Sequence, residues 1–405
     1  MNTLRINLHA SSVLFCLLSL ILFPPLTQAV WDYRNQSLPT LLVGVMSIVV
    51  ITLVYGRLPR LPWGVLALLS ISFIFGLRDL NSLLITAAFF ILFYAGYILG
   101  FALIRLDENQ VRKLVNRAVD IIMVLAAIGL LGFEPKHYTT FPKSVLPFLE
   151  PSHFAIASAA LFSTSLMISN QKRKLLIVAF LTLVCLQGSL VTILALIMML
   201  CLYFSFDNSK LTFGVYKTGL KGIIILILLG STLSLAYEKL VSIEGSEYYT
   251  ERIVNAESNN ATVLTYLGDW QRAILSFEQN PVGYGIGQFA EAPIGYFSEN
   301  LWQIVGYKKH LEDPSFLAPR LIVELGVLGI LLLLLFGWFL ALVLNSRDQR
   351  KTLFVLKVNC VFFLLLDLFI RSIGLVSMVP IYLGLSLYIH LKSSKFPEHQ
   401  QGRAS

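Results

Sequence analysis

Ionisable side chains are scarce in this chain, and those whose type and spacing suit chemistry fall in a few short stretches. In "GDWQRAILSFEQNPVGYGIGQF", Arg272 is followed by ten residues and then Gly283, after which Gly285 and Gly287 continue the alternation. Arginine offers a planar fork of donors that makes paired, charge-assisted bonds to an oxyanion and stays protonated. The glycines allow positive φ and close backbone approach, although "GYGIG" lacks dinucleotide-binding spacing and follows no strand, so a turn packed on the preceding helix is the plain alternative. Arg320 and Glu324 stand four apart, an ion pair that can satisfy itself, yet ionisable groups in apolar spans are costly and usually face a functional interior. Glu150 and His153 enter an apolar run as a carboxylate and an imidazole able to take a proton, with helix capping and an interfacial histidine as the bland readings. His310, beside Lys308 and Lys309, is a further base or part of a basic patch. The 134–152 loop is rich in Pro, Lys and His, among them Lys136, His137 and Lys143. Asp367 and Arg371, also four apart, read as a structural pair.

The elements that must position these groups are apolar helices. The chain has 405 residues, 56% hydrophobic and 13% charged, and its apolar runs of roughly 17 to 25 residues have the length of bilayer-crossing helices. The reading is an all-α polytopic membrane protein with about twelve transmembrane helices. The spans are 8–30, 38–55, 62–77, 80–104, 114–133, 153–169, 174–187, 189–206, 220–237, 316–343, 352–370 and 373–391. The hairpin 174–206 turns at "QGS", because basic flanks at both of its ends demand an even number of crossings. About 20 Lys and Arg fall in alternate connections and the tails, against about 5 in the short opposite loops, which makes both termini cytoplasmic. The formal charge of +8 therefore reports orientation and not a nucleic-acid partner.

The division that follows is residues 1–237 as helices one to nine, with a short loop at 134–152; a long loop at 238–315; helices at 316–391; and a tail at 392–405. The first 30 residues imitate a cleavable signal peptide, but the many spans that follow favour an uncleaved first helix. The four cysteines show no paired spacing, so neither disulfide nor metal is indicated. Within the long loop, a short helix capped by Asp269 and ended before Pro281 carries a stripe of Trp270, Ala273, Ile274 and Phe277, leaving Arg272 toward a cavity or solvent.

Arg272, Gly283 and the "NPVGYGIGQF" run resemble the signature external loop of Wzy-type O-antigen polymerases and the related O-antigen ligases. "EPSHFA" at Glu150 to Ala155 and "PRLIVELGVLGILLLLLF" at Pro319 to Phe336 are further matches. The ligase branch carries a His-Asn pair where this chain has Ser315 and Phe316, which favours the polymerase branch. Some polymerases also carry an arginine in the earlier external loop, and 134–152 has none.

The resemblance implies a bacterial inner-membrane enzyme that moves a glycan from a polyprenyl diphosphate to a hydroxyl of another lipid-linked repeat unit on the periplasmic face. The lipid diphosphate is then the energy source, with no cofactor. Its partners are polyprenyl-diphosphate-linked oligosaccharides and membrane lipid, and a chain-length regulator is left open. In this frame Arg272 and Arg320 meet the charge developing on the diphosphate, Glu150, His153 or His310 serves as base, and Lys136, Lys143, Gly283, Gly285 and Glu324 line the substrate. The readings kept beside it are an O-antigen ligase of the same superfamily and a transporter or flippase of lipid-linked sugars. A transporter would show internal repeats and polar groups near the midplane, whereas here charge gathers at one face.

Overall fold

The computed structural model describes residues 2–31, 37–132, 145–148, 150–187, 189–207, 212–213, 261–308, 310–346, 350–372 and 377–393. Lys136, His137, Lys143, Lys309, the 220–237 span and the first part of the long loop lie outside them.

The architecture is an all-α bundle. Eight helices come first: α1 (Asn2–Trp31), α2 (Ser37–Tyr55), α3 (Trp63–Gly76), α4 (Leu80–Ile104), α5 (Glu108–Leu130), α6 (Pro151–Ile168), α7 (Gln171–Cys185) and α8 (Leu190–Ser205). Six follow: α9 (Ala261–Gln279), α10 (Tyr296–Val305), α11 (Leu317–Leu325), α12 (Val327–Asn345), α13 (Lys351–Phe369) and α14 (Met378–Ser393). A two-residue antiparallel pair, Phe206–Asp207 with Thr212–Phe213, is the one ladder among the described residues.

Among the described residues, six helices are long and apolar enough to cross a membrane: Leu8–Val30, Leu38–Tyr55, Ser82–Ile104, Pro151–Ile168, Val327–Asn345 and Lys351–Phe369. This is a polytopic membrane protein. Other expected spans are shorter as helices, with 14 residues in α3, 15 in α7, and 16 in α8 and α14. The expected span 316–343 is not one helix, because the chain breaks it at Gly326.

The core explains the sequence's lack of amphipathic faces. Nearly every residue of α6 is buried, so its side chains meet protein on all sides, and its few polar groups pair with neighbouring helices. Ser163 donates to Asn359 Oδ1 at 2.9 Å and Asn359 Nδ2 donates to Thr164 Oγ1 at 3.0 Å, joining α6 to α13. Such bonds between helices are the polar glue of a membrane bundle. α1 belongs to the same core through Val13, Cys16, Leu17 and Leu20. By contrast α12 presents Leu331, Leu334, Leu335 and Trp338 outward, a face suited to lipid.

At one end of the bundle the basic connections are tied down. Arg173 bonds Asp120 at 2.7 Å and the Asn116 carbonyl at 2.6 Å, Arg350 bonds the Leu106 carbonyl at 2.7 Å, and Lys174 donates to the Tyr203 hydroxyl at 3.0 Å. The opposite end carries α9, α10 and α11. There Phe316 stacks on Tyr266 at 4.8 Å and leans on Trp270 at 5.9 Å.

Candidate functional site

The site is organised by the break in α11. A helix leaves its last carbonyls without intrahelical donors, and at Gly326, with φ of 55°, those carbonyls are served by the glycine-rich turn. Tyr284 N donates to Val323 O at 3.0 Å and Gly285 N to Glu324 O at 2.9 Å, while Val327 N donates to Pro281 O at 2.8 Å. Gly283 has a φ of 91°. A Cβ there would collide with the Glu324 carbonyl and the Gly326 amide, so no side chain fits. The turn therefore packs on the α11 to α12 junction, and through that junction it fixes the register of Arg320 and Glu324.

The turn has a second anchor at the start of α4. Asp79 caps that helix by accepting from Ser82 N at 2.7 Å, and Gln288 Nε2 donates to the other Asp79 oxygen at 2.9 Å. The buried Ser82 Oγ lies 2.6 Å from the Ile286 carbonyl.

Around α11 gathers a charged cluster. Arg320 Nε donates to Glu324 Oε1 at 2.8 Å, and its Nη1 bonds Asp313. Both Arg320 and Glu324 are buried, so the pair expected from the four-residue spacing forms inside the protein. Glu150 precedes Pro151 of α6 but makes no capping bond. Its Oε2 instead accepts from Ser152 Oγ at 2.8 Å and lies 3.6 Å from Arg371 Nη2. His153, one turn into α6, lies within electrostatic reach of Glu150 and Arg371. The expected pairing of Arg371 with Asp367 is corrected by this geometry. α13 stops at Phe369, so the four-residue helical register does not extend to Arg371.

His310 joins the cluster through its ring and its backbone. Its Nδ1 lies 3.1 Å from the Asp313 carbonyl and its Nε2 3.4 Å from Ser315 Oγ. A carbonyl only accepts, so Nδ1 carries a proton, and in the neutral ring this leaves the Nε2 lone pair facing the serine. The residue holds a φ of 58°, a conformation that costs a non-glycine residue free energy and concentrates at functional sites.

Arg272 differs from its expected setting. Only 1% exposed, it does not face solvent. Nη1 donates to the His310 and Leu311 carbonyls, both at 3.1 Å; Nη2 donates to Phe289 O at 2.8 Å and Ala292 O at 3.4 Å. The guanidinium stacks over the Phe289 ring at 4.3 Å. Every Nη hydrogen is thus spent on a backbone carbonyl. The helix also starts earlier than expected, at Ala261, which puts Asp269 inside α9 and not at its cap. The Asp269 carboxylate accepts from Ser315 N at 2.7 Å. Burial pushes it up to about 7, against the Ser315 bond and the Arg272 charge, which pull it down. In the expected stripe Ala273 is buried, but Ile274 is 57% exposed.

Of the residues singled out in the sequence, Glu150, His153, His310, Arg320 and Glu324 come together, Gly283 and Gly285 hold the junction, and Arg272 clamps the loop that carries His310. Asp313, which ties Arg320 to His310, was not singled out; its signal was a carboxylate directly before Pro314. Arg78, against Gly285, was also missed. The chain matches no protein-family model and none of the curated proteins compared with it.

Proposed function

We propose that the protein is a membrane glycosyltransferase of the Wzy polymerase type, joining polyprenyl-diphosphate-linked repeat units at the loop end of the bundle, on the periplasmic face of a bacterial inner membrane. The observation that carries this reading is the convergence of Glu150, His153 and Arg371 with Asp313, Arg320, Glu324 and His310 at that end, drawn from three separate segments and joined where Ser372 N donates to the Ser315 carbonyl at 2.7 Å and Arg371 acts on the Asp313 charge. Such a grouping supplies a base beside cations where an isoprenoid chain lying in the bilayer would deliver its diphosphate.

In the reaction the acceptor hydroxyl oxygen bonds to the anomeric carbon of the donor glycan. The bond from that carbon to the diphosphate oxygen breaks, its electron pair leaves on the diphosphate, and the hydroxyl proton passes to the base. His310 is the base this geometry favours, since its Nε2 lone pair is already oriented toward a hydroxyl. Arg371, 29% exposed against 10% for Arg320, is the more open of the two arginines in the cluster and the one able to approach charge developing at the site edge. Arg272 acts at one remove, by holding the His310 carbonyl.

The deciding experiment is the lipid-linked species that accumulates when the gene is deleted. Single repeat units on lipid A core support this reading. Long chains stranded on polyprenyl diphosphate point instead to a ligase, and units trapped on the cytoplasmic face to a flippase. Reporter fusions at Ser258 and Ser405 test the orientation, and cytoplasmic activity of the Ser258 fusion overturns it.

A further inference from the structure

A lipid diphosphate needs a guanidinium with hydrogens to give, and the arginines of the cluster have few left. Arg272 gives all four Nη hydrogens to backbone carbonyls and keeps only a buried Nε hydrogen unpaired, Arg320 is held between Glu324 and Asp313, and Arg371 leans on Glu150. Arg78 is different. It sits between α3 and α4, it is exposed, and among the described residues it makes no hydrogen bond or ion pair. Its neighbour Asp79 turns its carboxylate to other partners, one oxygen capping α4 at Ser82 and the other taking Gln288 Nε2.

The stem of Arg78 nevertheless has a definite neighbour. It runs over Gly285, where a Cβ would collide with Arg78 Cγ, and Gly285 itself has a φ of 107°. Gly285 N bonds the Glu324 carbonyl at 2.9 Å, so the residue that seats Arg78 is also bonded to the charged cluster. An arginine with a seated stem and an open fork loses less freedom on binding an oxyanion than a freely swinging one. We infer that Arg78, seated on Gly285 of the glycine-rich turn, binds the diphosphate of the lipid-linked donor. This rests on the glycosyltransferase reading above. It gives the glycine-rich turn a second purpose beside closing the helix break, because any side chain at position 285 would displace the arginine stem.

The test uses the full-length protein in nanodiscs of zwitterionic lipid, with geranylgeranyl diphosphate as probe and geranylgeraniol as its uncharged counterpart. The wild-type protein should bind the diphosphate more tightly than the alcohol. Arg78→Gln should weaken diphosphate binding about tenfold or more while leaving alcohol binding and the unfolding temperature unchanged, since a paired charge-assisted contact is lost from an exposed position. Arg78→Lys should recover only part of the loss, because one ammonium cannot reproduce the fork. If the wild-type protein prefers the diphosphate and Arg78→Gln binds it equally well, the assignment of Arg78 is overturned while the glycosyltransferase reading stands. If the wild-type protein shows no preference for the diphosphate over the alcohol, that reading falls and Arg78 falls with it.

Discussion

Arg272 Nη2 bonds the carbonyl of Phe289 at 2.8 Å, and the same guanidinium lies 4.3 Å over the Phe289 ring. One residue of the loop thus receives the arginine twice, through its backbone and through its side chain. The Nη1 bonds to the His310 and Leu311 carbonyls make Arg272 the point where α9, the 289–292 turn and the 310–315 segment are tied together.

Arg272→Ala should therefore act first on structure. It leaves four carbonyls without their donors, and hydrogen bonds to charged groups contribute about 1.5 to 3 kcal/mol each with incomplete additivity, so a loss on the order of 3 kcal/mol or more is expected. Limited proteolysis should cut within 280–316 while the membrane helices stay protected. Arg272→Lys should behave almost as badly. An Arg272→Ala protein with wild-type protection and lost activity would return Arg272 to the role of a direct ligand.

The turn makes a parallel prediction from the other side of α9. Gly283→Val puts a β-branched residue at a φ of 91° and against the Glu324 carbonyl, and the backbone strain alone costs on the order of 1 to 3 kcal/mol. The Tyr284 and Gly285 amides should then leave the Val323 and Glu324 carbonyls. Hydrogen exchange at those two amides, slow in the wild-type protein and fast in the variant, reads this directly. Unchanged exchange would mean that the junction does not depend on the glycine.

The legibility of these features in the sequence follows the range of the interactions. Arg320 and Glu324 are four apart on one helix, and helical geometry alone brings them together. Applied to Asp367 and Arg371 the same rule failed, because α13 ends between them at Phe369 and Arg371 crosses to Glu150 on α6. The apolar runs announced a membrane bundle, yet Gly326 lies inside an apolar run that hydropathy reads as continuous, so the break escaped. A glycine two residues after a carboxylate in an apolar run was the available signal. For Arg272 the amphipathic pattern found the helix and its end before Pro281 but not its start at Ala261, and nothing local to α9 shows that residues 289–311 fold back over its polar side. Tertiary wrapping of that kind has no periodicity to detect.

Asp269 makes the stability of the loop end depend on pH. Its carboxyl sits at about 7 in the folded protein against an ordinary value of 3.8, so between those values the folded state holds a proton that the unfolded state has released. The unfolded state binds fewer protons in this window, and stability therefore falls as pH rises from about 4 to about 7 and levels off above. Thermal unfolding followed across that range should show the slope. Asp269→Asn keeps an acceptor for the Ser315 amide and removes the titration, so its slope should be flatter. An equal slope in both proteins would assign the pH dependence to other groups.

His310 and Glu150 are separated as candidates for the base by what already binds them. Glu150 Oε2 is already engaged with Ser152 and Arg371. His310 donates from Nδ1 to the Asp313 carbonyl and aims Nε2 at Ser315, which prepares the neutral tautomer for taking a proton. His310→Ala should then lower kcat about 10² to 10⁴ fold with little change in KM for the lipid-linked donor, because the base acts on the acceptor hydroxyl in the transition state. Glu150→Gln should raise KM more than it lowers kcat, by loosening Arg371 at the mouth of the site. Thermal unfolding separates chemistry from folding here, since the Arg272 bond to His310 uses the backbone carbonyl and survives the alanine substitution. The reverse pattern, with turnover lost in Glu150→Gln and kept in His310→Ala, would move the base to Glu150 and leave His310 as a backbone anchor for Arg272.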